Sequence, residues 1–193
     1  MRELVIFIII FLIIFSFALF IFNGRFIYAQ IKYSVLGPEP VKDETFFRGL
    51  PNLEGVGDSL RLVIPMIGVD APMVLTNSTD KHILEKELEK GIVRYPDSNI
   101  ILGHSSAYPW YKGNYGSIFS LLNKLQEGDE LFIYSANRKY TYQVIGKEIN
   151  LPKDLDFSEA KNESIIYLVS CWPVNTNWKR IVIKAEKSLT EKI

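Results

Sequence analysis

Residues 164–186 read SIIYLVSCWPVNTNWKRIVIKAE. Two apolar, β-branched runs, 164–171 and 180–186, flank a stretch with a proline and two asparagines, which is the pattern of two strands and a connecting loop. Cys171 ends the first run and Arg180 begins the second. If the runs pair as a hairpin, the end of one strand lies beside the start of the next. The chain's single cysteine then stands next to an arginine at one rim of a sheet.

Working outward, the same strand pattern recurs from residue 60 onward. LRLVIP (60–65), PMVL (72–75), SNIILGHS (98–105), ELFIYSA (130–136) and KYTYQVIGKEI (139–149) are short and rich in Val, Ile, Tyr and Phe. The turn between the last two is expected across Asn137-Arg138. STDKHILEKELEKG (78–91) has helical spacing, with Ser78, Thr79 or Asp80 as cap, Gly91 as stop and Ile83, Leu84 and Leu88 as an apolar stripe. GSIFSLLNKLQEGD (116–129) predicts a second short helix through Phe119, Leu122 and Leu125, and residues 150–163 predict a polar loop. Seven or eight strands with two short helices fit a mainly β protein closed into a barrel, since closure removes exposed edges.

The N-terminus differs in kind. Residues 4–22, LVIFIIIFLIIFSFALFIF, hold no charge and only Ser16 is polar. As a helix they are roughly 28 Å long, enough for a hydrocarbon core of about 30 Å. A cleaved signal is the competing reading, but its apolar stretch is usually only about 7–15 residues. Residues 1–23 are therefore expected to be a transmembrane anchor and 24–58 a stalk. In the stalk, RFIYAQIKYSVL continues the helix before GPEPV stops it. Residues 59–193 form the domain. Arg2 lies on one side of the span and Arg25 and Lys32 on the other, so charge leaves the orientation open.

The 193 residues carry 22 basic and 22 acidic side chains and no basic run, which gives no footprint for nucleic acid. One cysteine makes no intramolecular disulfide, and with two histidines it makes no ordinary zinc site. No cofactor or metal is expected. Asp154, Asp156 and Glu159 make an acidic loop that reads as solvated rather than as a calcium site.

His104 also ends an apolar strand, after Gly103. Three strand-end side chains thus have the chemistry for one cleft. A thiolate attacks a carbonyl, an imidazolium protonates the leaving amine, and a guanidinium holds the developing oxyanion. With ordinary pKa values, about one molecule in a hundred holds both charged forms at pH 7. A nearby arginine raises that fraction. Each residue also has a plain reading: Cys171 as a small buried hydrophobe, His104 as a turn residue, Arg180 as a solvated charge. His82, on the polar side of its helix, reads as surface.

Together with its surroundings the site resembles the sortases, membrane-anchored cysteine transpeptidases of bacterial surfaces. Their Thr-Leu-x-Thr-Cys motif corresponds to Tyr167-Leu168-Val169-Ser170-Cys171. Pro173, Asn175-Thr176 and Arg180 before Ile-Val-Ile follow it in family order. The family histidine matches IILGHSS, and IFSLLNKLQEGDELFIY and YTYQV match its Phe-x-x-Leu segment, Gly-Asp turn and Tyr-x-Val strand. The likeness spans residues 59–187.

The resemblance implies an eight-stranded β-barrel flanked by helices, with Cys171 as nucleophile, His104 as acid/base, Arg180 as oxyanion or substrate clamp, and Ser170 positioning substrate. It implies cleavage of a C-terminal sorting signal similar to Leu-Pro-x-Thr-Gly through a thioester. The acyl group then passes to an amine of a cell-wall precursor or pilin. It also implies a single-pass protein of the bacterial cytoplasmic membrane with its domain outside the cell. Departures are Tyr167 for the first threonine, Ser105-Ser106 where many members have arginine, and the bulky Trp172 and Trp178 near the cleft. Other Cys/His enzymes fit less well: an L,D-transpeptidase wants Ser-His-Gly-Cys and a papain-like hydrolase wants a cysteine opening a helix. The alternative of another class is a non-catalytic tethered barrel that binds an envelope partner, with Cys171 buried.

Overall fold

The computed structural model describes residues 2–36, 60–107, 111, 113–135 and 138–192. Helix α1 (Arg2–Leu36) contains the apolar N-terminal stretch and its expected continuation. Among the described residues no helix is long and apolar enough to cross a membrane, so the anchor is not shown. Most of the stalk, residues 37–58, lies outside the described residues, as does residue 59.

The domain holds eight strands: β1 (Arg61–Ile64), β2 (Val69–Leu75), β3 (Ile92–Arg94), β4 (Ile100–Leu102), β5 (Glu130–Ser135), β6 (Arg138–Asn150), β7 (Ile165–Trp172) and β8 (Lys179–Lys192). They close in the order β1-β2-β3-β4-β7-β8-β6-β5. Seam strands β1 and β5 pair from Arg61↔Tyr134 to Val63↔Phe132. Every barrel strand therefore has two neighbours, as the absence of a tolerable open edge predicts. Two pairs are parallel, β2 with β3 and β4 with β7. Parallel neighbours need a crossover. The first is made by α2 (Lys81–Leu88), whose N-terminus Asp80 caps by accepting from the amides of His82 and Ile83. On α2, Leu88 is buried and Leu84 half-buried, but Ile83 is exposed, so the apolar stripe is narrower than its spacing suggests.

Residues 115–125 do not form the expected second α-helix. Successive i→i+3 hydrogen bonds give tight turns ending in a 3-10 segment, Leu122–Lys124. This path buries Phe119, Leu121, Leu122 and Leu125 together, more than one helical stripe accommodates. Ser135 pairs with Arg138, so Arg138 already belongs to β6 rather than to the expected turn, and Asn137 lies outside the described residues.

Alternation along β7 sorts its side chains. Ile166 and Leu168 point into the barrel core with Leu62, Ile92, Phe119, Ile181 and Ile183. Ile165, Tyr167 and Val169 point outward, where they meet Val182 and Ala160 in a second apolar cluster. Residues 150–163 are thus more than a polar loop. Leu155, Phe157 and Ala160 cover the outer face of β4, β7 and β8, with Phe157 edge-on to Tyr167 at 5.3 Å. That contact accounts for an aromatic at position 167.

Candidate active site

Cys171 shares the outward parity of Tyr167 and Val169, because side chains alternate along a strand. It lies two residues beyond the outer cluster, where the covering segment leaves it half-buried as a free thiol. In the β7–β8 ladder its register partner is Arg180. Paired residues put their Cβ atoms on the same face about 5 Å apart. On the other side, β4 runs parallel to β7 in the register Ile100↔Tyr167, Ile101↔Leu168 and Leu102↔Val169. The pairing continues past the strand end, since the Gly103 amide donates to Val169 at 3.2 Å. Counting on, Gly103 falls beside Ser170 and His104 beside Cys171. By this count the three sequence-selected residues line up across the adjoining ends of β4, β7 and β8, His104 two residues past the end of β4.

Ser170 has a different surrounding from the one a substrate contact requires. It is 3 % exposed and faces inward, and its hydroxyl donates to the Gly103 carbonyl at 2.7 Å. It fastens the strand bearing Cys171 to the residue before His104. The backbone of His104 is held from a third direction: its carbonyl accepts from the Phe119 amide at 2.9 Å. The Phe119 ring lies directly over Gly103, so close that a Cβ there would sit 2.4 Å from Cδ2. Glycine at 103 is a close-approach requirement.

Burial holds the His104 imidazole below its ordinary pKa, and the carboxylates of Glu85 and Glu89 on α2 act in the opposite direction. Its ring meets Tyr111 nearly perpendicularly, centroids 5.5 Å apart. One guanidinium nitrogen of Arg180, Nη1, donates to the carbonyls of Asn177 (3.1 Å) and Lys179 (2.9 Å), which ties the side chain to its own loop. That loop is latched to the segment after His104, for the Asn175 amide donates to Ser106 Oγ at 3.0 Å. Serine at 106 thus bridges the two borders of the cleft. Trp172 belongs to β7 and packs against the barrel core rather than facing the cleft, whereas Trp178 is 72 % exposed. Glu159 is paired with Lys184, and Asp156 accepts from the Ser158 amide at 2.8 Å. Among the described residues no group of three or more His, Cys, Asp or Glu side chains is placed to hold a metal ion.

The family model for the sortase domain matches residues 62–188, from β1 into β8, and so includes the whole row. The chain belongs to the sortase family. It is 27% identical over 128 residues to sortase A of Bacillus anthracis, covering 65% of this chain and 58% of that protein. Among solved structures, sortase A from Corynebacterium diphtheriae is similar at 22% identity and a TM-score of 0.55, over 68% of this chain and 61% of that one. Sortase E from Streptomyces avermitilis is similar at 20% identity and 0.54, over 70% and 91%. At these identities the two structures speak for the sortase fold, and the family match for membership.

Within this sortase domain the strand pattern anticipated Cys171 opposite Arg180, as the β7–β8 register has them, but not the supports around them. Tyr111, Ser106 and the Ser170–Gly103 bond carry no local signal, because each joins segments distant in the chain. Phe119 was visible only as a core residue of a supposed helix.

Proposed function

We propose that this sortase is a cysteine transpeptidase with Cys171 as nucleophile, His104 as acid/base and Arg180 as oxyanion or substrate clamp. The observation that carries the reading is the register that sets Cys171 opposite Arg180 and, counted two residues past the end of β4, beside His104, with the thiol half-buried rather than sealed in the core. A non-catalytic barrel gives no reason to set a histidine and an arginine at the register positions on both sides of its single cysteine.

The substrate is a peptide resembling the Leu-Pro-x-Thr-Gly sorting signal of exported surface proteins. The Cys171 sulfur attacks the scissile carbonyl carbon, and the S–C bond forms as the peptide C–N bond breaks. The thiol proton passes through His104 to the leaving amine, and guanidinium charge offsets the oxyanion between these events. An acceptor amine from a cell-wall precursor or a pilin lysine then attacks the thioester. A new C–N bond forms, the C–S bond breaks, and the proton lost by the amine returns through His104 to sulfur. No step calls for a cofactor. Ser170 serves as a positioning residue beneath the row.

Both substrates belong outside the cell, so the domain is assigned to the outer side of the bacterial cytoplasmic membrane. Residues 1–23 are its single-pass anchor and 24–58 its stalk. The uncharged stretch 4–22 and the exposed apolar side chains from Leu4 to Phe17 support this placement.

Intact-mass spectrometry of the full chain in detergent, with a pool of sorting-signal peptides, tests the reaction. Wild type is expected to gain an acyl mass that disappears on adding an amine, and Cys171→Ala is expected to gain none. A Cys171→Ala chain that still acylates, or a wild type that no peptide acylates, sinks the assignment.

A further inference from the structure

The imidazole of His104 is not oriented by its own backbone. The terminal torsion of histidine is broad, so a ring that must pass a proton along one direction needs an outside constraint. The backbone bond from Phe119 fixes where the residue sits, not how its ring is turned.

Tyr111 is the group against that ring, nearly perpendicular to it at 5.5 Å. It is itself fixed at several points. Its hydroxyl donates to the Leu88 carbonyl, the last residue of α2, at 2.7 Å. Two glycines make room for its ring. A Cβ at Gly113 would fall 2.6 Å from its oxygen, and one at Gly116 would fall 2.9 Å from Cδ1 and 2.6 Å from the Ala107 Cβ. Tyrosine therefore fills a slot that only bare backbone leaves open, with its hydroxyl tied to the far wall.

We infer that Tyr111 is a positioning residue for His104, a fixed wall that limits how the imidazole turns and keeps water from one side of it. It acts through the histidine. The inference rests on the transpeptidase reading for what His104 does, but not for where Tyr111 stands. It also couples α2 to the site, since the hydroxyl bond makes the end of that helix part of the wall. Among the described residues the charged groups acting on the imidazole are Glu85 and Glu89 from α2; by register Cys171 of β7 stands next to His104 with Arg180 of β8 beyond it, and the Tyr111 hydroxyl is turned to Leu88.

The experiment uses the full chain in detergent micelles with carbon-13 labelled histidine. There are only two histidines, and His82 is exposed, so His104→Gln assigns the signals. In wild type a ring-to-ring nuclear Overhauser effect between Tyr111 and His104 is expected. The His104 titration midpoint is expected below the ordinary value of about 6.5. Tyr111→Leu is expected to move that midpoint upward and to shift the acid limb of Cys171 alkylation by iodoacetamide with it. It should also lower kcat for peptide acylation about tenfold or more at little-changed KM. Tyr111→Phe keeps the ring and is expected to keep the wild-type midpoint. A folded Tyr111→Leu chain with unchanged midpoint and unchanged kcat overturns the inference. So does absence of the wild-type ring-to-ring effect, which needs no variant and decides the matter even where Tyr111→Leu does not fold. Neither the titration nor the ring-to-ring effect uses a peptide. Failure of every peptide to acylate Cys171 therefore sinks the transpeptidase reading without deciding the place of Tyr111.

Discussion

At the scale of single residues, His104 is under opposed influences whose sum is measurable. Burial favours the neutral ring and dominates, while Glu85 and Glu89 favour the charged one. The competent state holds one proton between thiol and imidazole, whether written as thiol with imidazole or thiolate with imidazolium. Binding of a second proton on the acid side abolishes it. The acid limb of kcat/KM therefore follows the histidine and is expected below about pH 6.5, because the shift is downward. Replacing both carboxylates (Glu85→Gln with Glu89→Gln) removes the influence that raises the pKa, so the limb moves further toward acid. Both glutamates are exposed, so the displacement is small and shrinks with added salt. A limb well above 6.5 in wild type, or one that moves toward alkaline pH in the double variant, contradicts the assignment of cause.

At the scale of elements, the support of the row is a set of close approaches. Gly103→Ala would thrust a methyl into the Phe119 ring, whose Cδ2 and Cε2 lie 2.4 and 2.7 Å from the new Cβ. Overpacking of that kind costs about 1–3 kcal/mol. The residue whose ring is displaced also supplies the backbone amide that holds the His104 carbonyl, so activity should fall with stability. Adding Phe119→Leu makes room, and the double variant is expected to be more stable in denaturant unfolding than the two single losses add up to. Simple additivity would mean that the two side chains do not meet. The same elements show what the sequence discloses. Strands β7 and β8 were legible as apolar runs around a turn, and Cys171 beside Arg180 followed from a hairpin alone. Strand β3 escaped because three residues carry no period. The placement of His104 depends on β4 lying parallel to β7 across some sixty intervening residues, and no local pattern encodes such a partner. Residues 115–125 have helical spacing, but tertiary bonds, among them the Phe119 amide to His104, draw them into turns.

At the scale of the whole molecule, the closed barrel accounts for its own apolar surface, but α1 does not. Thirteen large apolar side chains between Leu4 and Phe17 stand exposed along the described part of that helix. A contiguous apolar surface of this extent does not persist in water and marks a contact with lipid or protein. The continuing uncharged sequence through residue 22 brings the stretch to about the length a bilayer core demands. Two predictions separate lipid from a soluble partner and fix the side. Membranes bearing the full chain should retain it through alkaline carbonate, and a chain with Ile10→Lys and Ile13→Lys should be released, since charges at the centre of a span are costly. Because Cys171 is the only cysteine, a membrane-impermeant maleimide applied to intact cells reports the position of the site alone. Labelling equal to that of lysed cells puts the row outside, where exported peptides and envelope amines are found. Labelling only after lysis puts it inside, and then the sorting-signal substrate must be abandoned even if the thiol proves reactive.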